Sequence, residues 1–477
     1  MNILFITDDQ HRYDFFDFEG RYPVETPNLR RLKEEGAYFP NTYSNCPICM
    51  PTRFTWQYGL YASQAGARLL DNHHNWPTHL PSLAQSLRSN GYQTALVGKL
   101  HSHAGIIYRD LTRSRKDTQL RGYDHVTEVS GRSLSSTYDC DWTYYLHSIG
   151  KLESYRQELA NWKNAGSHHV THSCLKQEET IDAFTCRAAQ EYLTQYDSDK
   201  PFFLHLSFCS PHVPVYPSSD TKFPYKAEDM PEDFWPHAKS PEEIRRGQEL
   251  LAAYATLVSE VDDYIGQILD LLQTKGILDD TLVVFGTDHG DMLGEHQCFG
   301  KQKWYEGSVK TPLLMRLPGQ IPANRTCGEL AESVDVPITL LDSAGIQRNP
   351  EELFPGTLGQ SLWSTARGTS GQPPRTDAYS ECLTGERGWR MLRSKQFKYI
   401  YMGDGKEHLF DLQNDPHENH DLADDSTFTP IRMEHRLALL DRLSRIHTPN
   451  SDGGPFPKEV WYEESFIHPS MSSRASK

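Results

Sequence analysis

Cys49 stands where packing does not call for a cysteine. The segment Cys49-Met50-Pro51-Thr52-Arg53, closed by Gly59, is polar and rich in turn formers. A thiol there is either a buried side chain before a turn, the common state of a free cysteine, or a nucleophile with a guanidinium four residues on. Carboxylates, amines and imidazoles recur at comparable places. Ile3-Leu4-Phe5-Ile6-Thr7 runs into Asp8-Asp9-Gln10, and the turn and strand from Gly91 to Gly98 into Lys99-Leu100-His101. The apolar run from Pro201 to Ser207 leads to Ser210-Pro211-His212. Leu282-Val283-Val284-Phe285 leads to Thr287-Asp288-His289-Gly290-Asp291, with Gly300-Lys301 further on. Each set follows a run that reads as a buried strand, and the carboxyl ends of strands are where open α/β sheets hold their ligands. Alternation along a strand puts Lys99 and His101 on one side. Taken singly, an Asp pair opening a turn, a solvated Lys-X-His and a structural histidine are competing readings of the same residues.

The elements that would position these groups alternate along the chain. A helix starts at Thr26-Pro27-Asn28-Leu29 and stops at Gly36. Others run from Leu80 to Asn90, Glu179 to Gln195, Val334 to Ala344 and, longest, Pro241 to Lys275, which Gly276 ends. Ala37 to Tyr43 reads as a strand or extended piece. Strands alternating with helices predict an α/β domain built on a large, mixed, mostly parallel sheet sandwiched by helices. The stretch from Gln347 to Pro374, rich in Gly, Pro, Ser and Thr, marks a boundary. We therefore expect a catalytic domain over 1–365 and a smaller C-terminal α+β subdomain with an antiparallel sheet over 366–477. Its strands are expected at Arg390–Arg393, Phe397–Tyr401 and His408–Leu412, with a helix from Ile431 to Ile446. The tail from His447 is expected to wrap the surface or move. The polar, Tyr-, His- and Arg-rich stretch from Ser102 to Ser173 carries no fold signal, and reads equally as loop or as a pocket-shaping insertion. No internal repeat is present.

A chain of 477 residues with 11% aromatic and 23% charged residues can bury a large core. A net charge of -16 argues against nucleic acid as a partner. Nine cysteines without paired spacings give no disulfide framework and point to a reducing compartment. No stretch is apolar and long enough to cross a bilayer. The start lacks the basic region and cleavage site of a signal peptide, so the chain as it stands reads as cytoplasmic. It would be periplasmic or secreted if a signal had been trimmed.

Together these motifs resemble the type I, formylglycine-dependent sulfatases of the alkaline phosphatase superfamily. The resemblance rests on the Cys49 to Gly59 segment, the preceding Thr-Pro-Asn-Leu helix, Gly98-Lys99-Leu100-His101 and Pro211-His212. It continues through Thr287 to Gly307 and the closing His408 to Glu418 piece, all in the family's order. Thr52, Tyr58, Leu100 and His289 depart from the usual pattern, and none removes a catalytic group. The resemblance implies an alkaline phosphatase-like fold and oxidation of Cys49 to formylglycine by a formylglycine-generating or anaerobic maturation enzyme. It assigns Asp8, Asp9, Asp288 and His289, with the modified Cys49, to a divalent metal. Converging carboxylates ask for such a cation. Oxygen donors favour Ca²⁺ or Mg²⁺ and the imidazole also suits softer ions such as Mn²⁺ or Zn²⁺, so Ca²⁺ is expected, with Mn²⁺ or Mg²⁺ second. Arg53 would hold the formylglycine hydrate, and Lys99 and Lys301 would neutralise sulfate oxygens. His101 would be the base that collapses the intermediate, while His212 or Lys301 would protonate the leaving oxygen.

The function that follows is hydrolysis of a sulfate monoester, carried by a carbohydrate or an aryl alcohol. Trp142, Tyr144, Tyr145 and Trp162 of the insertion offer faces suited to a sugar ring. One alternative is a phosphonate monoester or phosphodiester hydrolase of the same superfamily. Another is a non-catalytic glycan-binding homologue, against which intact Cys49, Arg53, Lys99 and Lys301 argue.

Overall fold

Strand Asn2–Asp9 is buried at every position and lies in the middle of an eight-stranded sheet. The computed structural model describes residues 1–446 apart from 66–75, 77–79, 103–108, 167–168, 198, 236–237, 239, 347–349, 372 and 384–387. The tail from His447 lies outside the described residues. From one edge the strand order is His125–Glu128, Gln93–Gly98, Phe202–Pro211, Asn2–Asp9, Thr281–Thr287, Leu313–Arg316, Ala37–Phe39 and Arg325–Thr326. The first five run parallel. Leu313–Arg316 is antiparallel to both its neighbours, which makes the sheet mixed and mostly parallel.

Period-two alternation divides the central strand between two cores. Ile3 and Phe5 pack with residues of helices Cys49–Tyr58, Leu83–Ser89 and Asp335–Ser343. Leu4 and Ile6 pack with residues of Pro27–Glu34, Ile181–Gln195 and Pro241–Thr274 on the other face. Each of these four side chains contributes at most about 1.5–3 kcal/mol by burial. Such a strand is apolar at every position because both faces are covered. The 34-residue helix Pro241–Thr274 starts with proline, and the Ser240 side chain accepts from Glu243 N at 3.2 Å.

Parallel pairing fixes where the functional groups emerge. The register sets Asp8 against Thr287, Asp9 against Pro211, and Gly98 against Ser207. The residues that follow these strand ends therefore share one edge of the sheet. Two exits turn through left-handed residues that are not glycine, Gln10 (φ 71°) and His101 (φ 63°). That conformation costs about 1–3 kcal/mol each and persists only where the surroundings hold it.

The described part of the stretch from Ser102 to Ser173 is structured. It supplies the edge strand His125–Glu128 and the helices Asp141–Ser148 and Leu152–Ala165. Trp142, Leu146, Tyr155 and Leu159 make its own small core. Strands Asp377–Cys382, Trp389–Ser394, Phe397–Met402 and Glu407–Asp411 form a second, antiparallel sheet in chain order. Helix Thr429–Arg445 packs against it through Leu439. Among the described residues no helix is long and apolar enough to cross a membrane.

Candidate active site

Cys49 opens helix Cys49–Tyr58, all ten residues of which are buried. Trp56 meets Phe5 of the central strand edge-to-face at 5.5 Å, which seats the helix on the sheet. Gly59 ends it in the left-handed region (φ 59°), where an added Cβ would stand 2.6 Å from the Phe354 ring. At the other end, Thr52 Oγ1 donates to Cys46 O at 2.7 Å and pairs with Ser44 Oγ at 2.8 Å. The sulfur thus sits in the first turn, where the helix dipole favours negative charge. Burial pushes the thiol pKa up, but Lys301, Lys99 and His289 together hold it well below its ordinary value.

Arg53, one turn on, ties the strand ends together. Its Nε donates to Asp288 Oδ2 (2.8 Å), and Nη1 to Ser207 Oγ (2.8 Å) and Lys99 O (2.6 Å). Nη2 reaches Asp9 Oδ2 at 3.5 Å, and Lys99 Nζ donates to that same oxygen at 2.5 Å. Burial and the Cys49 sulfur raise the Asp9 pKa, yet Lys99, His212 and Arg53 bring it well below the usual carboxylate range. Asp9 is therefore ionised.

Donor atoms of Asp9, Cys49, Asp288 and His289 all lie within 4.8 Å of one another. The His289 tautomer follows from geometry. Nδ1 lies 2.9 Å from the Gly290 carbonyl and must donate to it, so Nε2, 3.3 Å from Cys49 Sγ, is the ring nitrogen turned into the site. Asp8 stands apart from those four. His11 Nδ1 meets its Oδ2 at 2.6 Å, while His11 Nε2 meets Phe15 O at 3.0 Å. The Phe15 carbonyl can only accept, so Nε2 carries a proton, and Nδ1 shares one with Asp8 Oδ2. Burial lowers its pKa, but Asp8 raises it more. Asp8 Oδ1 is buried with no hydrogen-bond partner. Two carboxylates, an imidazole nitrogen and an orphaned carboxylate oxygen beside them fit a divalent cation, which would take the place of a proton on His289 Nε2.

Lys301 closes the far side. Its Nζ lies 2.7 Å from Cys49 Sγ, 3.0 Å from His212 Nε2 and 3.2 Å from His289 Nε2. His212 Nδ1 donates to Val213 O at 2.8 Å, so its Nε2 is free to accept from the Lys301 ammonium. His101 is half-buried, and desolvation together with Lys99 lowers its pKa, keeping it neutral. Cys49, Lys99, His101, His212 and Lys301 all line one cavity of about 500 Å³, walled on another side by Val213, Leu250 and Phe299. Trp142, Tyr144, Tyr145 and Trp162, expected to face the substrate, do not line it. Trp142 is a core residue whose Nε1 donates to Glu179 O, and Tyr144 is exposed with its hydroxyl on Asp110. Trp142 and Tyr145 instead pack the insertion's own core.

Sequence reasoning missed several groups. Gln10 lines the cavity and bonds Asp291 through its side-chain amide, while Tyr254 of the long helix donates to Gln10 O and accepts from Arg12 N. The unbroken polar run from Asp8 to Arg12 was the available signal. Ser207 and Arg132 carried none.

The family described as Sulfatase matches residues 1–346, and the one described as N-sulphoglucosamine sulphohydrolase, C-terminal, matches 294–445. The chain is 29% identical over 469 residues to a choline-sulfatase of Rhizobium meliloti (strain 1021), covering 90% of this chain and 85% of that one. An arylsulfatase of Clostridium perfringens (strain 13 / Type A) is 28% identical over 494 residues, covering 96% and 97%. In fold the chain is similar to the phosphonate monoester hydrolase of Agrobacterium radiobacter, with a TM-score of 0.77 at 23% identity, over 93% of this chain and 96% of that one.

Proposed function

The chain belongs to the sulfatase family and is a sulfuric ester hydrolase, and from that premise we propose that Cys49, oxidised to formylglycine, is its nucleophile. The substrate class we propose is a sulfate monoester of a saccharide or an aryl alcohol, in keeping with the names of the second family match and of the arylsulfatase relative. The observation that carries the reading is the convergence of Lys99, Lys301 and Arg53 with two histidines around one buried sulfur.

Formylglycine is used as its hydrate, with two hydroxyls on one carbon. One hydroxyl oxygen attacks sulfur as the ester S–O bond breaks and the alcohol leaves. The second hydroxyl then loses its proton, the carbon–oxygen bond to sulfate breaks, and the aldehyde returns to be rehydrated by water. Neutral His101 takes that second proton. Lys99 and Lys301 neutralise the sulfate oxygens, and Arg53 holds the hydrate against Asp288. The proton for the leaving oxygen comes from the Lys301–His212 pair, which already shares one. Asp9, Asp288, His289 and the modified Cys49 side chain would hold a divalent cation, with Asp8 beside them. Such a cation, when bound, supplies positive charge that acidifies the attacking hydroxyl and offsets charge on the ester. We propose Ca²⁺, with Mn²⁺ or Mg²⁺ second. The maturation partner is a formylglycine-generating or anaerobic sulfatase-maturing enzyme.

A phosphonate monoester is the second reading. His289 in the cation site favours it, and the Asp8-Asp9 pair favours sulfate. Intact mass tests the first step, since conversion replaces one sulfur and two hydrogens of Cys49 with one oxygen. Rates on 4-nitrophenyl sulfate, choline sulfate, sulfated glucosamines and an aryl phosphonate test the rest. A phosphonate that outpaces every sulfate would overturn the substrate assignment.

A further inference from the structure

Arg132 takes no part in the steps above, yet its side chain is buried against the loop that carries His212. We propose that Arg132 is the positioning residue for the leaving-group acid: its guanidinium clamps both flanks of His212 and aims that ring at Lys301 and the departing oxygen. The inference rests on the reading of the Lys301–His212 pair as the proton donor.

The geometry is specific. Nη1 donates to Ser210 Oγ at 2.9 Å, two residues before His212. Nε donates to Pro214 O at 3.2 Å, two residues after it, and Nη2 to Tyr216 O at 2.8 Å. One planar fork with fixed donor directions therefore spans the loop from end to end. The near flank is anchored further. Ser210 Oγ donates to Asp182 Oδ2, and Asp182 Oδ1 accepts from Cys209 N at 2.6 Å and Ser210 N at 3.3 Å.

Arg132 is itself held from two sides. Tyr155 OH, from the insertion helix Leu152–Ala165, donates to Arg132 O at 3.1 Å. The preceding Gly131 lies against Lys99, where an added Cβ would come within 3.4 Å of Nζ. The clamp thus refers the position of His212 to the strand end that carries Lys99. Among the described residues no carboxylate forms an ion pair with the Arg132 side chain. All three of its side-chain bonds go to the loop, and its charge also offsets the burial of Asp182 and Glu260 behind that loop. A lysine, with one point of attachment and no fork, can replace only part of this.

The test uses the matured enzyme and a series of substituted phenyl and alkyl sulfates. His212→Ala should lose about 10²-fold or more in kcat on poor leaving groups and only a few-fold on 4-nitrophenyl sulfate. Arg132→Ala should repeat that selective pattern at roughly 10–10²-fold, because a misplaced ring donates poorly. Arg132→Lys should recover part of the loss. The double variant Arg132→Ala/His212→Ala should be no more leaving-group-dependent than His212→Ala alone. If Arg132→Ala does not fold, Arg132→Lys, with its melting temperature measured beside its rates, carries the same comparison. Equal losses across the series in the Arg132 variants, with selective loss in His212→Ala, would overturn this proposal alone. Equal losses in His212→Ala would overturn the acid assignment, and the clamp with it.

Discussion

On one side of the cleft Asp9, Arg53, Lys99 and Asp288 stand on strand ends and a buried helix, each 3% exposed or less. On the other, Lys301 stands in an irregular segment that other parts of the chain brace. Gln302 N donates to Pro47 O at 3.2 Å, and Trp389 Nε1 donates to Gln302 O at 3.0 Å. Lys398 Nζ, from the second sheet, reaches Trp304 O (2.9 Å), Glu306 Oε1 (2.7 Å) and Glu418 Oε1 (2.7 Å). Glu418 Oε2 also accepts from Glu306 N at 2.6 Å. The first side is held by sheet register and would survive much change elsewhere. The second depends on a buried charge cluster far along the chain, so stability and activity should be coupled there and separable at the strand ends.

The largest expected effect breaks the nucleophile. Cys49→Ala should lose roughly 10⁴-fold or more in kcat while melting close to wild type, because it removes one small side chain. Initial rates and calorimetry check this, and retained turnover would sink the mechanism. Asp288→Asn should lose at least the roughly 10–100-fold that removal of an outer-shell partner costs a metal site, and should also weaken ion retention. Elemental analysis of wild type and variant decides that, and active wild type with no bound ion would refute the site.

Lys398→Met tests the braced side. It removes the cation that Glu306 and Glu418 share and leaves Glu306 only the longer contact to Lys310 at 3.9 Å, which should cost about 3–5 kcal/mol in denaturant unfolding. It should also lower kcat by about 10-fold through displacement of Lys301. Lost stability with unchanged kcat would show that the second sheet does not set the Lys301 geometry.

The smallest effect is a pH dependence. Burial, opposed by Lys398 and assisted by Glu306, pushes the Glu418 pKa up to about 7 from its ordinary 4.5. Between those values the folded protein keeps a proton that the unfolded chain has lost. This contribution to stability is therefore present below 4.5 and lost as pH rises through about 7. Glu418→Gln is uncharged throughout, so its melting temperature should gain on wild type across that window. Parallel profiles would mean that Glu418 is ionised in the fold.

Local pattern determined much of this protein. Apolar runs ending in polar groups were legible as strands carrying Asp8, Asp9, Lys99, His212 and Asp288, because a strand covered on both faces must be apolar and its exit must not be. The order of the motifs around Cys49 was legible as a family. The insertion was not: Trp142 and Tyr155 pack on one another, 5.0 Å between ring centroids, and no short-range periodicity announces such a core. Nor could sequence separate Asp8, paired with His11, from Asp9, paired with Lys99: alternation sends the two opposite ways, but which way meets which partner is set only by the elements packed around the strand. Arg132, Lys398 and Glu418 act on groups from 78 to 112 residues away in the chain. Their roles come from the tertiary fold alone, because a hydrogen bond or a buried ion pair is set by distance in space and leaves no trace in the spacing of residues along the chain.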